Sequence, residues 1–243
     1  MKKGTKGKLR FKRDKTELIL HEKNIYRTLV VTALPLMVSN FIIALLDIAD
    51  TFFVGQMSNA STAQAGIGIA WPVINIMLAF NNGLSAAGIA VISRMFGEGN
   101  KEKAAHYGRL LLMTACAMGV SINVLLFAAA SALMRFMGAE GDVLREAVVY
   151  LKISSFEMLP LFFFSAFCAI RQAMGDMVIP VIFSLIAAVV NITLIAVLVM
   201  GFGLGARGAA IASVAGQLSI LPFYGKRLLK DGGDDFSIRG ELK

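Results

Sequence analysis

The longest stretch without a charged residue runs from Thr51 to Ser93, and it limits what this chain can fold into. A helix needs about 20 apolar residues to cross the hydrocarbon of a bilayer. Only 16% of the 243 residues are charged, whereas soluble domains carry about 25%. The mean hydropathy is +0.71. The sequence therefore predicts an all-α, polytopic membrane protein.

Six apolar runs of span length follow one another along the chain. We place them at residues 29–53, 62–93, 104–130, 147–170, 177–200 and 205–224. The predicted organisation is a basic cytoplasmic leader (1–28), a six-span transmembrane lobe (29–225) and a polar cytoplasmic tail (226–243).

The positive charges mark the topology of the chain. The net charge is +8, but its distribution argues against a nucleic-acid partner. Twenty of the 24 Lys and Arg lie in the leader, the tail and the alternate connections between spans. Such a bias is typical of cytoplasmic segments. We therefore predict a multi-pass protein of the plasma membrane, in contact with lipids, with both termini in the cytoplasm.

The sequence shows no pattern typical of an enzyme. Its two cysteines, Cys116 and Cys168, lie far apart in apolar runs and indicate neither a disulfide framework nor a metal site. The glycine-containing segment 93–109 lacks the spacing of a phosphate-binding loop. It is more typical of a tight turn with Asn100 as the cap of the next helix. We expect no enzyme activity and no cofactor.

Small residues four positions apart predict close helix packing. These sets are Gly66 with Ala70, Gly83 with Ala87, and Gly208 with Ala212 and Gly216.

Two acids, Asp47 and Asp50, end the first apolar run in the sequence LLDIADTFFVGQ. They are three residues apart and share a helix face. A charged acid in the middle of a membrane costs about 2.5–3.5 kcal/mol, so such acids usually face a cavity or a partner. A carboxylate there can exchange a proton or bind sodium. The alternative is that both acids lie at the outer membrane interface.

Two more polar residues interrupt apolar runs. Asn191 lies in AAVVNITLIAV, where its amide can contact a cation or form an interhelical hydrogen bond. Glu157, in SSFEMLP, is an accessory candidate that pairs with Lys152 or faces a cavity.

Five segments, in this order and spacing, resemble the multidrug and toxic compound extrusion (MATE) family. They are LPLMVSN, DIADTFFVGQ, SRMFGEGN, RQAMGDMVIP and NITLIAVLVMGFGLGARGAAIAS, and the resemblance covers residues 29–219. It implies a fold of twelve helices in two six-helix lobes around a central cavity. It also implies export of small cationic amphipathic compounds, coupled to proton or sodium movement.

The resemblance also implies roles for single residues. Asp50 matches the acid of a site that binds the coupling cation, which can be sodium. Asn191 matches the asparagine beside that acid, and Ser213 matches a hydroxyl on the sixth span. Family members commonly have a polar or acidic residue where this chain has Ile195. Asp47 takes the place of a frequent asparagine and is an accessory acid.

The chain matches only the first lobe of that fold. Three explanations are open: a truncated or split transporter, which we expect first, a half that pairs with a separate second half, or a homodimer. A non-transporting fragment or accessory half-subunit is the alternative function. A lipid or polysaccharide-precursor flippase is a further alternative, although the spans carry almost no Lys or Arg.

Overall fold

A computed structural model describes residues 60–230, together with individual helical positions between 30 and 55. Side chains of the continuous part are described for residues 61–226. The helices are α1 (Ala60–Gly97), α2 (Lys101–Phe136), α3 (Gly141–Ser155), α4 (Met158–Ala173), α5 (Val178–Ile195) and α6 (Gly205–Lys230). A π-helical turn, Ala196–Gly201, extends α5. No strand occurs in the described residues, and the predicted all-α class is confirmed.

Within the described residues, four segments are each long and apolar enough to cross a membrane: α1, α2, α5 with its π-helical turn, and α6. They overlap the second, third, fifth and sixth predicted runs. The first run, 29–53, lies outside the described residues except for its single helical positions. Helix α6 continues to Lys230, beyond the boundary predicted at 225.

The fourth predicted run overlaps two helices, α3 and α4, which are apolar enough together for one span and are broken between Ser155 and Met158. Helices α3 and α4 are separate and bend by 44°. Pro160 has no N–H, and its ring collides with the carbonyl of residue 156 in a regular helix. The carbonyl of Ser155, at the break, accepts a hydrogen bond from Asn123 Nδ2 of α2 at 2.9 Å. This bond satisfies one backbone carbonyl at the break from inside the protein, as a membrane favours.

Glu157 lies at this break and is half-buried. The ammonium group of Lys152 lies 5.2 Å from the centre of the Phe127 ring, where a cation–π attraction holds it. Phe127 in turn contacts Phe156 edge-on, with ring centres 5.7 Å apart. The pairing of Glu157 with Lys152 stays a prediction.

The apolar core is continuous across α1 to α4. Its largest fully buried members on α2, α3 and α4 are Leu126, Met134, Leu151, Met158, Phe162 and Ile170. A second cluster, around Phe167 and Tyr224, packs α4 against α5 and α6. One end of the bundle is where α1, α3 and α6 begin. We call it the outer end, because the charge bias predicts it to be extracellular.

The predicted small-residue faces are partly confirmed. Gly66 is buried, and a Cβ there would lie 3.0 Å from the backbone nitrogen of Ala147. Gly208, Ala212 and Gly216 are buried along α6. Gly83 and Ala87 are exposed, so no described helix packs on them.

The predicted cap of α2 is present. The side chain of Asn100 accepts a hydrogen bond from the backbone nitrogen of Lys103 at 3.1 Å. This bond satisfies one of the unpaired N–H groups in the first turn of the helix.

We expect Gly119→Ala to destabilise the fold by about 1–3 kcal/mol, because overpacking forces backbone shifts. An added Cβ would lie 2.9 Å from Leu159 Cα, at the start of α4. The thermal unfolding of the purified protein in detergent measures the effect. Gly83→Ala is the matched control, since its Cβ would meet nothing within 4 Å. Equal melting temperatures for the two variants would show that α2 and α4 are not in this close contact.

Candidate functional site

The structure brings two of the predicted site residues together, Asn191 of α5 and Ser213 of α6. Asn191 Nδ2 donates a hydrogen bond to Ser213 Oγ at 3.2 Å. The close approach depends on Gly216, where a Cβ would lie 3.1 Å from Asn191 Cβ. Asp47 and Asp50 lie outside the described residues, and their roles stay predictions.

Asn191 retains an unused acceptor. The residue is only 7% exposed, and its Oδ1 has no hydrogen-bond partner among the described residues. A buried acceptor without a partner costs about 1–3 kcal/mol. An amide oxygen can accept a hydrogen bond or coordinate a cation. The polar pair, Asn191 with Ser213, is therefore able to offer oxygen to a positively charged ligand.

Ile195 lies next to the polar pair along α5. It is one turn after Asn191 on α5 and is 0% exposed. It belongs to an apolar cluster that we call the outer plug. The buried members of the plug are Ala63, Ile195, Val199, Ala206, Ala209 and Ala212. The side chain at 195 thus contributes shape and apolar surface and no oxygen ligand.

A second amide–hydroxyl pair joins α1 to α4. Asn81 Nδ2 donates to Ser165 Oγ at 2.7 Å. Asn81 is 4% exposed, and its Oδ1 also lacks a partner in the described part of the chain. Sequence reasoning did not find this pair. The available signal was an asparagine inside an uncharged run, but nothing marked Ser165 as its partner.

A cavity of about 480 Å³ opens at the outer end of the bundle. It is lined by Thr62, Ala63, Asp142, Arg145, Glu146, Gly203, Leu204, Gly205, Ala206 and Arg207. Arg207 Nη2 of α6 lies 3.2 Å from Glu146 Oε1 of α3. Both side chains are partly exposed, so the pair contributes little to stability. Its effect is to hold the outer ends of α3 and α6 together.

The described residues contain no group of three or more His, Cys, Asp or Glu side chains that could hold a metal ion. The polar pair is itself uncharged. A cation beside Asn191 would therefore need its charge balanced by a residue outside the described part, and the predicted candidate is Asp50.

The comparison with known proteins identifies the family. The MatE family model matches residues 35–197. The chain belongs to the MatE family. The multidrug export protein MepA of Staphylococcus haemolyticus is 24% identical over 219 residues, covering 88% of this chain and 48% of MepA. The probable multidrug resistance protein YpnP of Bacillus subtilis is 23% identical, covering 80% of this chain and 43% of YpnP.

Solved structures show the same fold. A MATE protein crystallised with MaD3S superposes with a TM-score of 0.84 at 22% identity, covering 93% of this chain and 50% of that chain. A MOP superfamily transporter from Pyrococcus furiosus gives a TM-score of 0.83 at 22% identity, covering 92% and 49%. This MatE chain is a multi-pass membrane protein that spans about half the length of these relatives.

We expect Ser213→Ala to destabilise the lobe by about 1–3 kcal/mol, because it leaves the buried Asn191 Nδ2 without its acceptor. Replacing both partners by apolar groups of similar shape is nearly neutral. The double variant Asn191→Leu/Ser213→Ala should therefore be more stable than Ser213→Ala alone. Thermal unfolding of the single and double variants measures the coupling. Strictly additive losses would contradict the hydrogen bond between them.

Proposed function

We propose that this chain forms one lobe of a cation-coupled antiporter that exports cationic amphipathic compounds, with proton or sodium as the coupling ion. The family membership supports transport, and the relatives above are named as multidrug export or resistance proteins. The known folds that match are MATE and MOP superfamily transporters.

The observation that carries the proposal is the unpaired oxygen of Asn191. Buried polar atoms are almost always hydrogen-bonded, and an exception calls for an explanation such as an ion. Here the exception lies beside the hydroxyl of Ser213, and Gln217 Oε1, one turn further along α6, is a second buried amide oxygen without a partner in the described residues. A cation at Asp50, or the protonated form of Asp50, would supply the missing partner. Asn191 and Ser213 would then shape the pocket around that acid.

The coupling follows from differential binding. A ligand shifts a conformational equilibrium only by its difference in affinity for the two states. In the proposed cycle Asp50 is protonated or sodium-bound in one state of the lobe and deprotonated or empty in the other. The unpaired oxygen of Asn191 gains a partner only when a cation or a proton donor is present. Cation binding would thereby bias the lobe towards the state that releases the exported compound.

Transport by a whole MATE protein needs two lobes. This chain spans about half the length of its relatives. In the proposed assembly, the second lobe is the rest of a longer chain, a separate half or a second copy.

Cation binding by the purified chain tests the site without needing a second lobe. Equilibrium dialysis against radioactive sodium and proton release in weakly buffered detergent solution measure the two coupling ions. We expect Asp50→Asn to abolish the signal. Asn191→Leu should weaken binding about tenfold or more, because contacts to a charged group contribute about 1.5–3 kcal/mol.

The matched control is Asn75→Leu. Asn75 is exposed on α1, and its Nδ2 donates to the carbonyl of Trp71 at 3.2 Å. The Asn75→Leu variant should bind the cation as the parent protein does. Unchanged binding in Asp50→Asn would contradict the proposed cation site. An equal loss of binding in Asn191→Leu and Asn75→Leu would contradict the role of Asn191 in it.

Dye export from cells tests the function. In cells that lack other exporters and supply a second lobe, we expect Asp50→Asn to stop coupled ethidium export while expression and membrane insertion stay intact. Proton and sodium gradients imposed separately on vesicles identify the ion. Undiminished export by Asp50→Asn would show that this acid takes no part in coupling.

A further inference from the structure

The outer plug borders the outer cavity and extends along α6 to the polar pair. Ala63 and Ala206 line the cavity and also belong to the plug. Ala212, another member of the plug, precedes Ser213 on α6. The plug is thus an apolar cluster that begins at the cavity wall and ends next to the polar pair.

The length of the plug along α6 follows from helix geometry. Arg207 lines the cavity and Ser213 is six residues further along α6, a distance of about 9 Å at 1.5 Å per residue. On α5, Ile195 is one turn from Asn191 on the side towards the outer end. It is the largest buried side chain of the plug, whose other buried members are four alanines and Val199.

The chemistry differs at the two ends of the plug. Two carboxylates and two guanidinium groups line the cavity, those of Asp142, Glu146, Arg145 and Arg207. A space of about 480 Å³ with such polar walls holds several waters, each of which occupies about 30 Å³ in the liquid. Ile195, in contrast, has no accessible surface. Beyond it lies the unpaired Asn191 Oδ1, which is more than nine-tenths buried.

We infer that the outer cavity is an aqueous vestibule through which a small hydrated monovalent cation approaches the polar pair, and that Ile195 is the barrier between them. The identity of the cation rests on the proposed function, whereas the route does not. The four charged side chains of the vestibule balance one another, so the vestibule admits a cation without holding it tightly. The Glu146–Arg207 contact keeps the mouth of the vestibule together by joining α3 to α6.

Silver-ion accessibility tests the route, because Ag⁺ is a small monovalent cation that reacts with thiols. The full chain carries Ser213→Cys, with the native thiols removed by Cys116→Ala and Cys168→Ala. Ag⁺ is applied briefly to the outside of intact cells. The fraction of thiol left is then read by maleimide labelling after denaturation. The parent thiol should react slowly.

The barrier is tested by shortening Ile195. We expect Ile195→Ala to speed the reaction of the thiol at position 213 about tenfold or more, and Ile195→Val to speed it less. Ile186→Ala is the matched control, since Ile186 is 41% exposed on the same helix, and it should leave the rate unchanged. Size-exclusion chromatography in detergent checks that each variant folds. If Ile195→Ala does not fold, the smaller change Ile195→Val still tests the barrier.

The vestibule is tested by filling it. Thr62→Trp, added to Ile195→Ala, should return the rate to that of the parent. Equal rates with isoleucine, valine and alanine at 195 would overturn the barrier, and an unchanged rate in the Thr62→Trp variant would overturn the vestibule. Faster reaction from the cytoplasmic side of inverted vesicles would also overturn the route. None of these measurements depends on transport. The route can therefore be contradicted while coupled export is confirmed, and it can be confirmed while coupled export is absent.

Discussion

The structure depends on one constraint: inside hydrocarbon, a polar group must find its partner within the protein. The described helices meet this constraint in pairs. Asn81 donates to Ser165, Asn123 to the carbonyl of Ser155, and Asn191 to Ser213. Each bond joins two different helices, consecutive ones for Asn123 and Asn191 and distant ones for Asn81, so the same bonds that satisfy polar groups also help to fix which helices are neighbours. Among the described residues, the buried amide oxygens of Asn81, Asn191 and Gln217 have no hydrogen-bond partner, so the constraint is not fully met there.

The apolar runs were sufficient to predict most of the helices, because hydropathy averages over a whole span. Helices α1, α2, α5 and α6 overlap their predicted runs. The same averaging hides the break between α3 and α4, which depends on Pro160 and on a donor from α2. It also cannot show contacts between distant residues. Glu146 and Arg207 are 61 residues apart, and Asn81 and Ser165 are 84 apart.

The site was predictable only in part, and the family resemblance supplied that part. Asn191 was noticeable from sequence as a polar residue in an apolar run, but Ser213 was one hydroxyl among many. Its position opposite Asn191 depends on the missing side chain of Gly216. Ile195 was noticed as the loss of a ligand. The structure adds that its side chain is fully buried in the outer plug, together with Ala63 and Ala206 of the cavity wall.

The break at residues 156–157 divides one membrane crossing between two sets of neighbours. The outer half, α3, is bound to α6 through Glu146 and Arg207. The inner half, α4, begins against Gly119 of α2 and is bound to α1 through Ser165 and Asn81. A straight helix would transmit any tilt of its outer half to its inner half. This one is broken between α3 and α4, with a bend of 44°, so a change in the tilt of α3 need not be passed on to α4 as it would be along a single helix.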